Sequence, residues 1–334
     1  MALPLDHIGF HSGLANALGE YLALRRALGR RYAGEEAVLR RWDDFLRQEF
    51  GKVRLVRPEM FHRWAETLPH LHPTVRRNRL RIVRNFLLFR ARQHPNTFIP
   101  DLETFPKPSP HRPPRLVSVP EMARVIAAAS KLPVSHQNAL RPQTVRLALL
   151  LLFCCGLRRG ELLRLQWKHC DLQENVLQIE ATKFHKSRLV PLSSSVAQAL
   201  RQYQQLRRRR NLAVQPSDRL IWSCNPIAAE TVYSAAALAH NWQFLCLMAG
   251  VLDERGRPPR LHDLRHSFAV SRLELWYKAG KDLQSKLPHL ATYLGHINPV
   301  STHHYLHLTP GLREAANRRL HKHAFRIFAN GGVR

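Results

Sequence analysis

Apolar residues in the first hundred positions recur at helical spacing. Leu14, Leu18, Tyr21 and Leu22, followed by Leu28, mark a first helix. A second is predicted over Glu35–Phe50, and a short third starts near Pro58. The stretch HPTVRRNRLRIVRNFLLFRARQHP gives the clearest helix, with Pro73 suited to its start and Pro95 to its end. Val83, Phe86 and Leu87 form its apolar stripe, while Arg77, Arg81 and Arg84 share another face. The pattern then lapses into PNTFIPDLETFPKPSPHRPPRLVSVP, whose prolines make a stiff, extended connector. Beyond it, helices are expected from Pro120 and from Pro142 to Cys155. The second of these contains LALLLLFCC, apolar on every side and so buried, but too short to span a bilayer. The period changes in VLQIEATKFHKSRLVPL, which alternates like a β-hairpin with its turn near Phe184 to Ser187. Helical patterns resume over Ser193–Arg210, Ala229–Ala249 and Leu261–Tyr277, and again near Ser301 and Gly311. The expected fold class is α+β: mainly α with a small β-sheet. The expected division is a helical domain at 1–105, a Pro-rich linker at 106–118, and a second domain with its tail at 119–334.

Charge narrows the partner. The 334 residues carry 52 Lys+Arg against 24 Asp+Glu, a formal net charge of +28, on a chain that is 45% hydrophobic and so able to build a core. A folded, strongly basic chain points to a polyanion, and double-stranded DNA is the first candidate because neutralised phosphates release counterions. An anionic membrane surface is the weaker rival, since no isolated basic amphipathic segment supports it. The Arg77, Arg81 and Arg84 row reads either as a solvated face or as a set of phosphate contacts. Five cysteines without a CxxC pair indicate reduced thiols. The opening MALPLDHIGF has no signal-peptide pattern, so a cytoplasmic, nucleoid-associated protein is expected.

Several local patterns could carry chemistry. In CCGLRRGELLRL, Gly156 can end the buried helix and Glu161 begin the next, leaving Arg158 at the junction. Lys183 lies at the edge of the hairpin turn, with Lys186 close by. In RLHDLRHSFAV, His262, Arg265 and His266 are neighbours on one helical face, while Leu264 and Phe268 face a core. Two histidines at this spacing could bind zinc, but the zincin Glu is absent and no third ligand stands nearby in sequence. In LGHINPVSTHHYLHLTP, His296 follows a glycine and Tyr305 sits in a short predicted helix. Together the list holds arginines, a lysine, histidines and a tyrosine, with no carboxylate pair for a metal. That set suits metal-free transfer of a phosphodiester to a phenol. Guanidinium forks stabilise the transition-state oxygens, clustered cations favour the phenolate, and a lysine protonates the leaving oxygen.

The segments GLRRGELLRLQW, TKFHKSRLVPL, HDLRHSFA and LGHINPVSTHHYLHL resemble, in order, the motifs of the tyrosine recombinases, the phage-integrase-like site-specific recombinases. The resemblance implies a helical core-binding domain that clamps DNA, followed by a catalytic domain. It implies catalytic roles for Arg158, Lys183, His262, Arg265, His296 and Tyr305, with Tyr305 as nucleophile and Glu161 and His266 supporting the site. Lys186 is a second-ranked alternative for the lysine and a candidate DNA contact. The resemblance further implies a 3′-phosphotyrosyl intermediate, strand exchange through a Holliday junction, a homotetramer on two DNA sites, and no cofactor, metal or ATP. A relaxation enzyme like the type IB topoisomerases and a non-catalytic DNA-binding accessory protein are the alternatives. The stretch LWYKAGKDLQSKLPHLATYLGH is expected to be an enlarged loop, and the tail bearing Leu312, Leu320, Phe325, Ile327 and Phe328 to pack either on its own domain or on a neighbouring protomer.

Overall fold

The computed structural model describes residues 9–30, 32–110, 112–134, 139–180, 187–212, 214–223, 233–296 and 305–306. The chain divides into two compact units, Met1–Arg112 and Pro113–Arg334, and the division falls within the proline-rich stretch.

The first unit holds α1 (Ala15–Ala27), α2 (Ala33–Phe50), α3 (Pro58–Glu66) and α4 (Pro73–Arg90). Leu18 and Tyr21 of α1, Leu39 and Trp42 of α2, Phe61 of α3, and Val83 and Phe86 of α4 are all buried. Trp42 and Tyr21 both meet the Phe86 ring edge-on, with centroids 5.7 Å away. Burying an aromatic or branched side chain contributes about 1.5–3 kcal/mol, so this cluster fixes how the four helices pack. Leu28 lies just past α1 and is exposed, because the helix ends before the stripe reaches it.

The second unit is built around α6 (Arg141–Cys154), which packs against α5 (Val119–Ala129), α7 (Arg159–Arg164), α8 (Ser194–Arg209) and α10 (Asp263–Lys278). Being enclosed by neighbours explains its apolar circumference. Ser118 caps α5 in a reciprocal capping box with Glu121. α9 (Ala235–Met248) packs on α5 and α7. The alternating stretch supplies the antiparallel pair β2 (Val176–Ile179) and β3 (Arg188–Pro191), and a short strand ahead of it, β1 (Cys170–Asp171), extends the sheet to the order β1-β2-β3 among the described residues. Ile179 pairs with Arg188 and Leu177 with Val190.

The stretch expected to be an enlarged loop contains a helix, α11 (Leu283–Leu294). Asp282 caps it by accepting from the backbone N–H groups of Gln284 and Ser285, at 3.1 and 3.0 Å. Leu287, Leu290 and Leu294 are buried against α10, so tertiary burial carries the helix through Pro288. The hairpin turn, the segments near Ser301 and Gly311, and the tail from Leu312 to Phe328 lie outside the described residues.

Candidate active site

Two glycines let the walls of the site approach one another. Gly156, at φ +58°, follows α6; a Cβ there would lie 2.6 Å from Cδ1 of Phe268 on α10. Gly295, at φ +67°, ends α11; a Cβ there would lie 2.9 Å from Nη1 of Arg188 and 3.5 Å from Nη1 of Arg158. Both positions need left-handed backbone and both lack room for a side chain.

Three arginines converge on the end of α11. Arg188 donates from Nε to the Tyr293 carbonyl at 2.7 Å, Arg265 from Nη2 to the Leu294 carbonyl, and Arg158 from Nη2 to the Gly295 carbonyl at 2.8 Å. The last carbonyls of a helix have no partner within it and carry the negative end of its dipole. Here each of three successive carbonyls receives a guanidinium. Arg265 is almost fully buried and also donates from Nη1 to the Gly156 carbonyl at 2.7 Å. Burial and the charge of Arg158 draw its pKa down to about 10.

Glu161 is the carboxylate of this cluster. It sits in the first turn of α7, is buried, and accepts from the backbone N–H of Arg158 at 2.9 Å and from Arg158 Nη1 at 2.7 Å. Arg188 grips its two oxygens with both terminal nitrogens, at 3.1 and 2.8 Å. Burial pushes the Glu161 carboxyl up, but the hydrogen bonds and charge of Arg188, followed by the hydrogen bonds of Arg158, bring it down to about 2. Arg188 was not singled out in the sequence. The signal available there was the strand's alternation, which puts Arg188 on the same face as Val190, fully buried.

Tyr305 is 3% exposed, and its hydroxyl lies within the field of the Arg265 guanidinium. Its ring lies nearly parallel to that of His296, with centroids 6.1 Å apart, and 5.5 Å from that of His266. Burial raises the phenol's pKa, while the positive charge of Arg265 and then of Arg158 acts against that rise. His266 and His296 are both held down to about 4, first by burial and then by neighbouring positive charge, His262 for the one and Arg265 for the other. Both imidazoles are therefore neutral at neutral pH. Nδ1 of His266 is buried without a hydrogen-bond partner among the described residues. His262 sits at the start of α10 with its ring 4.9 Å from that of His266. It keeps much of its surface open, yet the protein behind it and the Arg265 charge lower its pKa too. No group of three His, Cys, Asp or Glu suited to a metal occurs among the described residues.

Arg158, Glu161, His262, Arg265, His266, His296 and Tyr305 thus belong to one site within the second unit. Lys183 and Lys186 lie outside the described residues. In the first unit, Arg77 donates to the carbonyls of Phe105 and Pro106 at 3.4 and 3.1 Å, and Arg84 to that of Pro100 at 2.8 Å. These two tie down the chain that follows α4, whereas Arg81 is exposed.

Comparison with known proteins decides the family. The phage integrase family model matches residues 120–311. The chain belongs to the phage integrase family. It is thus one of the tyrosine recombinases, enzymes of DNA recombination. The Sinorhizobium fredii protein y4rB, whose name places it among integrases and recombinases, is 34% identical over 93% of this chain and 98% of its own length. Tyrosine recombinase XerC of Chlorobaculum parvum is 30% identical over 49% of this chain and 45% of its own. Among solved structures, the Tn1549 transposon integrase in complex with circular intermediate DNA superposes with a TM-score of 0.60 at 18% identity, covering 91% of this chain and 99% of that one. The XerH recombinase bound to palindromic difH gives 0.59 at 19%, covering 93% and 90%. At these identities the structural likeness shows the fold. No helix among the described residues of this integrase is long and apolar enough to cross a membrane.

Proposed function

We propose that this chain is a site-specific DNA recombinase that cuts and rejoins strands through Tyr305. The carrying observation is buried Tyr305 between the rings of His266 and His296, within the field of the Arg265 and Arg158 guanidiniums. The phenolic oxygen attacks the scissile phosphorus and the bond to the 5′ oxygen breaks, leaving a 3′-phosphotyrosyl link. The phenol proton passes to an adjacent neutral imidazole, and Lys183 delivers a proton to the departing 5′ oxygen. Arg158 and Arg265 stabilise the charge that develops on the non-bridging oxygens. Arg158 has the more open side chain, with 32% of its surface exposed, and so offers the edge a phosphate meets first. His262 contributes a further contact to the phosphate from the open rim. The 5′-hydroxyl of a partner strand then reverses the step, so the phosphotyrosine conserves the bond energy and neither ATP nor metal is required. Four protomers bring two sites together through a Holliday junction. The helical first unit clamps DNA, with Arg81 on its phosphate-facing surface and Lys186 near the hairpin turn as a further contact.

The test is a duplex nicked close to the cleavage point, which traps the covalent adduct. Wild-type protein is expected to form it and Tyr305→Phe to form none. An adduct from Tyr305→Phe, or none from wild type, overturns the assignment. Relaxation of plasmid without excision or inversion between two sites would favour a topoisomerase-like activity instead.

A further inference from the structure

We infer that Arg188 is a positioning residue of the cleavage site, holding Glu161 and the end of α11 in the register that presents Arg158 to a phosphate. The inference rests on the strand-cleavage reading above. Arg188 occupies the first position of β3, and only 8% of its side chain is exposed. All three of its nitrogens are spent on the protein, Nε on the Tyr293 carbonyl and the terminal pair on the two oxygens of Glu161. It is therefore not arranged to grip DNA itself. It joins three separate stretches of chain: the sheet, the start of α7 and the end of α11.

The geometry also says why a lysine would not serve. A planar fork meets both carboxylate oxygens while its third nitrogen points elsewhere, and an ammonium cannot reproduce that arrangement. The fork fixes the orientation of Glu161, which then holds Arg158 by its backbone N–H and by Nη1. Gly295 completes the arrangement, its missing Cβ leaving room for Nη1 of Arg188. Arg188 also follows Lys183 by five residues, so it anchors the strand that leaves the segment bearing that lysine.

Without Arg188, Glu161 is a buried carboxylate that has lost its main cation. It then takes up a proton at mildly acidic pH and releases its grip on Arg158 Nη1. A residue that merely filled space would not connect cleavage to a proton in this way. The test uses the full chain in single-turnover cleavage of the nicked duplex across a range of pH, with DNA affinity measured alongside. Arg188→Met is expected to cleave about a hundredfold more slowly at neutral pH, the scale of a 1 Å misplacement in an active site, with little change in affinity. Its rate should fall further on acidification more steeply than wild type, and adding Glu161→Gln should remove that extra acid limb. Arg188→Lys should fall between wild type and Arg188→Met.

Wild-type cleavage by Arg188→Met overturns the inference, as does a loss that follows the wild-type pH profile or an extra acid limb that persists with Glu161→Gln added. If Arg188→Met fails to fold, Arg188→Lys decides: slower cleavage at unchanged affinity supports the inference, and a wild-type rate overturns it. Failure of the strand-cleavage reading looks different, because wild type then forms no adduct or Tyr305→Phe still forms one.

Discussion

Acid should loosen the catalytic unit well before its carboxylates protonate, and His266 and His296 are the reason. Each imidazole has its pKa lowered from 6.5 to about 4 in the folded chain. As pH falls below the first value, the unfolded chain takes up a proton that the folded chain refuses. Stability is therefore lost as pH falls through this window, and the loss is complete below the folded value. At about pH 5 the linkage relation gives a loss of about 2 kcal/mol per histidine, so the pair sets a ceiling of about 4 kcal/mol. That is a large share of the roughly 5–15 kcal/mol that holds a domain folded. Glu161 and Glu121, both held at about 2, act only at lower pH and do not blur the window. The measurement is urea unfolding of the full chain at about pH 7.5 and about pH 5, read by hydrogen exchange of peptides from α10 and α11. The His266→Gln/His296→Gln double variant should lose much less stability between those two values than wild type. Equal losses in the two proteins would refute the reasoning.

DNA should act on the same histidines in the opposite direction. A bound phosphodiester offsets the arginine charge that suppresses His296, so binding at about pH 5 should take up protons, seen as a binding heat that varies with the ionisation enthalpy of the buffer. Gly156→Ala places a Cβ 2.6 Å from Phe268 Cδ1 in left-handed backbone. Backbone strain of about 1–2 kcal/mol and overpacking of about 1–3 kcal/mol should lower the unfolding midpoint, and cleavage should slow because Arg265 leans on the Gly156 carbonyl. Arg158→Ala should slow cleavage by about 10²–10³, the roughly 3–4 kcal/mol of one preorganised donor, while gel-shift affinity stays near wild type. Treatment with EDTA should leave adduct formation unchanged, and an activity abolished by the chelator and restored by zinc would revive the reading of His262 and His266 as ligands.

Much of the architecture was legible because burial is periodic. The stripes of α1 and α4, the all-round apolar run of α6 and the alternation of β2 and β3 each announce themselves. The site was legible mainly through the order of its motifs, since Arg158 alone is one arginine among many. α11 was hidden for a physical reason. Pro288 and the polar residues around it read as a loop, and the burial of Leu287, Leu290 and Leu294 that outweighs them is a tertiary effect. The acceptors that organise the arginines were hidden more deeply, because they are main-chain carbonyls and no side chain encodes them. Arg77 and Arg84 make the converse point. In sequence a row of cations on a helix face reads as open surface or phosphate contact, whereas two of its members bind the backbone of the following segment.

The dependence of three guanidiniums on consecutive peptide oxygens bears on how such a protein can diverge. Replacing the side chains of Tyr293 or Leu294 leaves those oxygens in place, so the sequence there is free to drift as long as the helix stays packed. Inserting or deleting one residue inside Leu283–Leu294 is a different matter. It turns everything downstream by about 100° around the axis and presents the wrong oxygens to every guanidinium at once. Relatives of this chain should therefore vary in the composition of this segment far more readily than in its length.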